Sequence, residues 1–278
     1  MNPSRRSVLA GAAALPALPS LLRSVPAGAA EDLKLGVATY SLRKLPFLQA
    51  VAAIKELKVR YAKLKLEVHL PYDSTPAQVR EAKKVLDGEG IILVGSGNTS
   101  LQKKDEGDIR QKFEFNKQLG VQVMTCAPTA ETLPIVERMV KEYDIKVAIH
   151  NHGPEDKHFP APSDALRLIK NMDPRMGVCM DAGHTARTGV DIIQATRDCG
   201  ARLYDVDVKD LADAMAGKSQ CAVGDGVLPI AGLLKLLRNE MKYQHVVMLE
   251  YEINADNPLP GMHRSFSYMR GVLAGLRA

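Results

Sequence analysis

Three observations place this 278-residue chain in the α/β class as a (β/α)8 barrel. Eight short apolar runs recur along it. A helix-like segment with turn or cap signals follows each run. The stretch from 31 to 278 has the usual length of such a barrel, about 250 residues.

The runs are taken in order. "LKLGVATY" (33–40) is the first predicted strand. "AKLKLEVHL" (62–70) is the second, followed by a helix over 75–88 that starts after Ser74 and Thr75. "GIILVGSG" (90–97) is the third. "VQVMTCAP" (121–128) is the fourth and follows Gly120, a helix-end signal. A helix over 131–143 leads to the fifth, "IKVAIHNH" (145–152). A helix over 162–172 leads to the sixth, "MGVCMDAG" (176–183). Gly200 ends the next helix before the seventh, "RLYDVDVKD" (202–210). The longest loop spans 209–226, and "HVVMLEYE" (245–252) is the eighth strand. An open doubly wound sheet is the alternative. It calls for a glycine-rich phosphate loop after an early strand. The first strand ends instead in "TYSLRKL", and "GSGNTS" lacks the GxGxxG spacing.

Residues 1–30 read as an export signal ahead of a single domain at 31–278. Arg5 and Arg6 stand in "SRRSVLA", an apolar stretch runs from Val8 to Leu22, and "AGAA" at 27–30 offers a cleavage site. Paired arginines point to the twin-arginine machinery and a periplasmic address. An ordinary Sec signal or an uncleaved anchor are the alternatives. Removing this segment takes away three arginines and no acid, so the formal charge falls from +5 to +2. That leaves no electrostatic case for nucleic-acid binding. No other stretch has the length or apolarity for stable membrane insertion. A homo-oligomer is compatible with the sequence. Cys126, Cys179, Cys199 and Cys221 form no CxxC pair, and free thiols are expected.

Chemistry in such a barrel collects at the C-terminal strand ends. "VCMDAGH" (178–184) shows why those ends matter: a buried apolar run stops on Asp181, with His184 three residues later. A turn explains either residue alone. The coincidence extends further, because strands five to eight end near His150, Asp181, Asp207 and Glu250. One imidazole and three carboxylates suit one divalent ion such as Mn²⁺, Mg²⁺, Co²⁺ or Zn²⁺. Tyr40, Glu67, His69, His152, His184 and Lys209 are candidates for binding substrate. Glu67 and His69 alternate with apolar neighbours and so share a strand face. Lys63 and Lys65 on that face give the other reading, a buried charge network.

"MDAGHTARTG", "VDVKDL", "VGDGVLP" and "LEYE", with "ATYSLR" and "HNHGPEDKHFP", resemble the xylose isomerase-like TIM-barrel family of sugar isomerases and epimerases. The resemblance implies a divalent metal, often manganese, held by Glu, Asp, His and Glu from strands five to eight. The Asp matches Asp181 and the last Glu matches Glu250. His150 stands where the first Glu is usual, and Asp207 where the His is usual. The two exchanges keep the inventory of one histidine and three carboxylates.

The resemblance further implies proton abstraction next to a sugar carbonyl through an enediolate. Glu250 and His150 are the candidate catalytic residues. A histidine whose lone pair is committed to a metal is no base, so two-base epimerisation is less well supported than one-base isomerisation. β-Elimination from a 3-keto sugar or glycoside is the alternative. A sugar-binding barrel without catalysis is a reading of another class. An endonuclease IV-like enzyme shares the superfamily, but it would show more histidine ligands and a basic face.

Overall fold

The computed structural model describes residues 33–277. The predicted export segment lies outside the described residues. Eight parallel strands close into a barrel in chain order: β1 (Lys34–Ala38), β2 (Tyr61–Leu64), β3 (Ile92–Ser100), β4 (Val123–Ala127), β5 (Lys146–His150), β6 (Met176–Asp181), β7 (Leu203–Val208) and β8 (Val246–Leu249), which pairs back with β1. Helices separate the strands, as the sequence predicts. Among the described residues no helix is long and apolar enough to cross a membrane.

The two-residue period sorts the side chains. Val147, Ile149, Val178, Met180, Val206, Val208, Val247 and Leu249 are buried in the large core between strands and helices. Their neighbours Ala148, His150, Cys179, Asp181, Asp205 and Asp207 take the other face, toward the barrel axis. Register then fixes the mouth. His150 lies beside Cys179, Asp181 beside Asp207, and Met248 beside Asp207. The ends of β5–β8 therefore bring polar side chains together at the mouth, staggered along the strands.

Local chemistry explains the helix boundaries. Thr75 and Gln78 form a reciprocal capping box at the start of Pro76–Gly88. Asp105 caps Glu106–Leu119, and Gly120 ends it in the left-handed region at φ 85°.

Three expectations are corrected. The second strand stops at Leu64 instead of running to 70. Leu66–His69 is a helical turn, with His69 N donating to Lys65 O at 3.0 Å and Leu70 N to Leu66 O at 2.9 Å. Leu66 and Leu70 are both buried, so their four-residue spacing is helical burial that resembles a strand in a short run. The third strand continues to Ser100. The loop expected over 209–226 is partly structured. Asp210–Leu211 pairs antiparallel with Gln220–Cys221. The Asp210 carboxylate accepts from the backbone N–H of Leu211, Gly224, Gly226 and Leu228 at 2.9–3.2 Å. A Cβ on Gly226 would stand 2.2 Å from Asp210 Oδ1, which explains the glycine in "VGDGVLP". All four cysteines are free, as expected.

Candidate active site at the barrel mouth

His150 ends β5, Asp181 ends β6, Asp207 lies near the end of β7, and Glu250 follows β8 directly. All four are buried, and one donor atom from each lies within 4.8 Å of the others. His150 Nε2 stands 3.6 Å from Asp181 Oδ2, 3.5 Å from Asp207 Oδ2 and 4.0 Å from Glu250 Oε2. Donors bound to one ion at roughly 2.1 Å lie about 3–4 Å apart. The spacing thus fits a single divalent cation. Asp181 adds a second sign. Its Oδ1 caps the helix Ala182–Arg187 by accepting from His184 N at 2.8 Å. Its Oδ2 is buried with no hydrogen bond of good geometry, although Lys209 Nζ stands 3.0 Å away. His150 Nδ1 is also buried without a partner.

Two buried lysines balance the acids. Lys209 Nζ lies 3.0 Å from Asp181 Oδ2, 3.1 Å from Glu250 Oε2, 2.7 Å from Glu252 Oε1 and 3.1 Å from His184 Nε2. Lys63 Nζ lies 2.6 Å from Asp205 Oδ2 and 2.6 Å from each oxygen of Asp207. Burial opposes charge on both lysines, but their carboxylate partners hold them protonated well above the usual range. Burial would raise Asp181, yet Lys209 and His150 pull it well below its usual value. Glu250 is likewise lowered against burial, by Lys209, Lys63 and His150. Burial would lower His150, but Asp181 and Asp207 raise it to about 9. Burial drives His184 down to about 2, so it is a neutral ring. Its ring centroid is 4.4 Å from that of His152, and His152 is 5.6 Å from His150.

The other predicted residues divide. Lys209, His184 and His152 join the four donors at the mouth. Tyr40 follows β1, half-buried, with the Arg43 guanidinium 4.6 Å from its ring centre. Glu67 and His69 do not share a face, because their segment is helical. The Glu67 side chain is 40% exposed and pairs with Lys65 at 3.0 Å. His69 is buried, with Nδ1 3.1 Å from Thr39 Oγ1. Lys63 does enter a buried charge network, but with Asp205 and Asp207 across the barrel.

Asp205, Asn151 and Cys179 escape the sequence reading. Asp205 accepts from Thr125 Oγ1 at 2.7 Å and Val206 N at 3.0 Å. Asn151 Oδ1 accepts from Asp181 N at 2.9 Å. The Cys179 thiol, kept neutral by burial, donates to Asp207 Oδ2 at 3.3 Å. The period-two spacing of Asp205, Asp207 and Lys209 is the signal that marks Asp205 as inward. A cavity of about 700 Å³ lies at the other end, lined by strand starts such as Lys34, Tyr61, Lys146 and Tyr204, with Lys63, Thr125 and Asp205 among its buried polar groups. The four metal-capable donors do not line it.

A closed parallel barrel with four convergent metal-capable side chains at its C-terminal mouth defines the class. The sequence profile described as "Xylose isomerase-like TIM barrel" matches residues 41–271, and the chain belongs to that family. Solved structures of like fold include the 3-keto-D-glucoside 4-epimerase YcjR from E. coli in its apo form, at 17% identity, covering 86% of this chain and 100% of that one, with TM-score 0.71. The IOLI protein with a bound zinc atom matches at 14% identity over 87% and 99%, with TM-score 0.73. The probable 3-DHS dehydratase AsbF from Bacillus anthracis matches at 12% over 86% and 99%, with TM-score 0.70. A search of curated protein sequences gives no match.

Proposed function

We propose that this protein is a divalent-metal-dependent sugar isomerase or epimerase that removes a proton next to a carbonyl. The observation that carries this reading is Glu250, a buried carboxylate held ionised beside His150 and Lys209 at the barrel mouth. His150, Asp181, Asp207 and Glu250 would hold the ion. Bound there, it would polarise the substrate carbonyl and the adjacent hydroxyl. Glu250 takes the proton from the carbon next to the carbonyl. The C–H electron pair becomes the C=C bond of an enediolate, and the carbonyl oxygen becomes an oxyanion. Lys209 supplies fixed positive charge at that level. The hydroxyl proton on the carbon that lost its hydrogen passes to the oxyanion, so that carbon becomes the new carbonyl as Glu250 returns its proton to the former carbonyl carbon, which interconverts aldose and ketose with one base. His184 and His152 line the same opening and offer contacts for sugar hydroxyls. Manganese is the proposed ion, on the donor set of one imidazole and three carboxylates.

The second reading is a lyase acting on a 3-keto sugar or glycoside. It is favoured by His150, which stands where a second carboxylate base would otherwise serve. An epimerase of a 3-keto-glucoside and a dehydratase share the fold, which is compatible with either reaction. The deciding experiment incubates manganese-loaded protein in D₂O with a panel of aldoses, ketoses and 3-keto glycosides. Deuterium in an isomerised sugar supports the first reading, and an eliminated aglycone or enone supports the second. Binding of a sugar with neither product would make the protein a sugar-binding barrel. We also propose export by the twin-arginine route, on the Arg5–Arg6 pair.

A further inference from the structure

The Lys63 ammonium faces the Asp207 carboxylate head-on. Lys63 Nζ is 2.6 Å from both oxygens of Asp207. A point equidistant from both oxygens at that range lies on the open side of the carboxylate, where a chelating cation would sit. Asp207 Oδ2 also accepts the Cys179 thiol at 3.3 Å. Lys63 is held in this position by its ion pairs. Its side chain is 3% exposed, and Asp205 grips it from behind at 2.6 Å. Asp205 is itself held by Thr125 and Val206, so withdrawing Lys63 would strand a buried carboxylate.

We infer that Lys63 withholds Asp207 from the metal. His150, Asp181 and Glu250 form the working three-residue centre, and Asp207 offers at most the outer side of one oxygen. More of the ion's coordination sphere is then left for water and for substrate oxygens. This rests on the metal-centre reading above and deepens it. It makes Lys63 a positioning residue, whose charge is already spent on Asp205 and Asp207.

The test measures Mn²⁺ affinity by calorimetry on full-length protein stripped with chelator. Asp207→Asn should weaken binding by less than about tenfold, and Asp181→Asn by more than about a hundredfold. The double variant Lys63→Met/Asp205→Asn removes the ammonium with the acid behind it, so Asp207 is the one carboxylate freed from Lys63. It should bind Mn²⁺ about tenfold tighter or more, because Asp207 is released to ligate. Adding Asp207→Asn to that double variant should abolish the gain. Equal losses in Asp207→Asn and Asp181→Asn would overturn the inference and leave the metal centre standing. So would a double variant that binds no tighter than wild type. Wild-type protein that takes up no Mn²⁺ would overturn the metal-centre reading itself, and the inference with it.

Discussion

The ammonium of Lys209 stands 3.1 Å from the carboxylate of Glu250, inside the barrel mouth and away from solvent. An acid in that position is kept ionised by its partner, which is the state a general base needs. Lys209→Met should therefore raise the Glu250 pKa. The acidic limb of the kcat/KM profile should move to higher pH, and kcat at neutral pH should fall by at least about tenfold. A profile that only scales down, with no shift of its acidic limb, would separate Lys209 from the base.

Glu250→Gln keeps size and one oxygen but removes basicity. At saturating Mn²⁺ it should lose about 10²–10⁴ in kcat while staying folded. Metal occupancy must be read in parallel. A variant that holds its ion and keeps more than half of kcat would make His150 or His152 the first candidate base, and the lyase reading would lead.

His150 sets a pH window for metal uptake. Its value in the folded, metal-free protein is raised from 6.5 to about 9. The protonated ring therefore stabilises the metal-free fold, fully below pH 6.5, and that contribution is lost as pH rises through about 9. Ligation needs the neutral ring, so binding releases a proton in this window. Mn²⁺ affinity should rise by about tenfold per pH unit from 6.5 to 9 and then level off. Affinity that is flat across that range would remove His150 from the ligand set.

Asp210 organises the loop beyond β7 through four backbone N–H groups. Asp210→Ala leaves those donors without their charged acceptor. Hydrogen bonds to charged groups contribute about 1.5–3 kcal/mol each, so a stability loss of at least about 2 kcal/mol is expected. Urea denaturation of the variant beside wild type measures it. A midpoint unchanged from wild type would show that the loop is held by other contacts.

Export is tested on the precursor. Arg5→Lys with Arg6→Lys should leave it in the cytoplasm. Normal periplasmic yield in a host lacking the twin-arginine pathway would exclude that route.

Most of the mouth was legible in the sequence because strand ends are read by a period of two. Once "VCMD", "VDVKD" and "LEYE" are taken as strands, Asp181, Asp207 and Glu250 fall at the C-terminal ends without any knowledge of the fold's interior. Glu67 and His69 misled because four residues of apolar alternation carry too little information to separate a strand from a single helical turn. Lys63 was ambiguous for another reason. Its partners lie 142 and 144 residues away, on the far side of the barrel, and no local pattern encodes a contact of that range. Asp205 was hidden in the same way: its role appears only when Lys63 arrives.

The reach of Lys63 from β2 to β7 has a consequence for the barrel as two halves. β1–β4 form one (β/α)4 unit and β5–β8 the other. The first carries Lys63 and Thr125, and the second carries Asp181, Asp205, Asp207, Glu250 and Glu252 with Lys209. Taken alone, the first half would lack the carboxylates that pair Lys63. The second would keep Lys209 beside Asp181, Glu250 and Glu252 but would leave Asp205 and Asp207 without their lysine. Each fragment is electrostatically unfinished, and each supplies what the other lacks. A chimaera that exchanges the first half for one with an apolar residue at position 63 would close around Asp205 and Asp207 unpaired. The halves are keyed to one another by charge, so neither can be replaced without rewriting its partner.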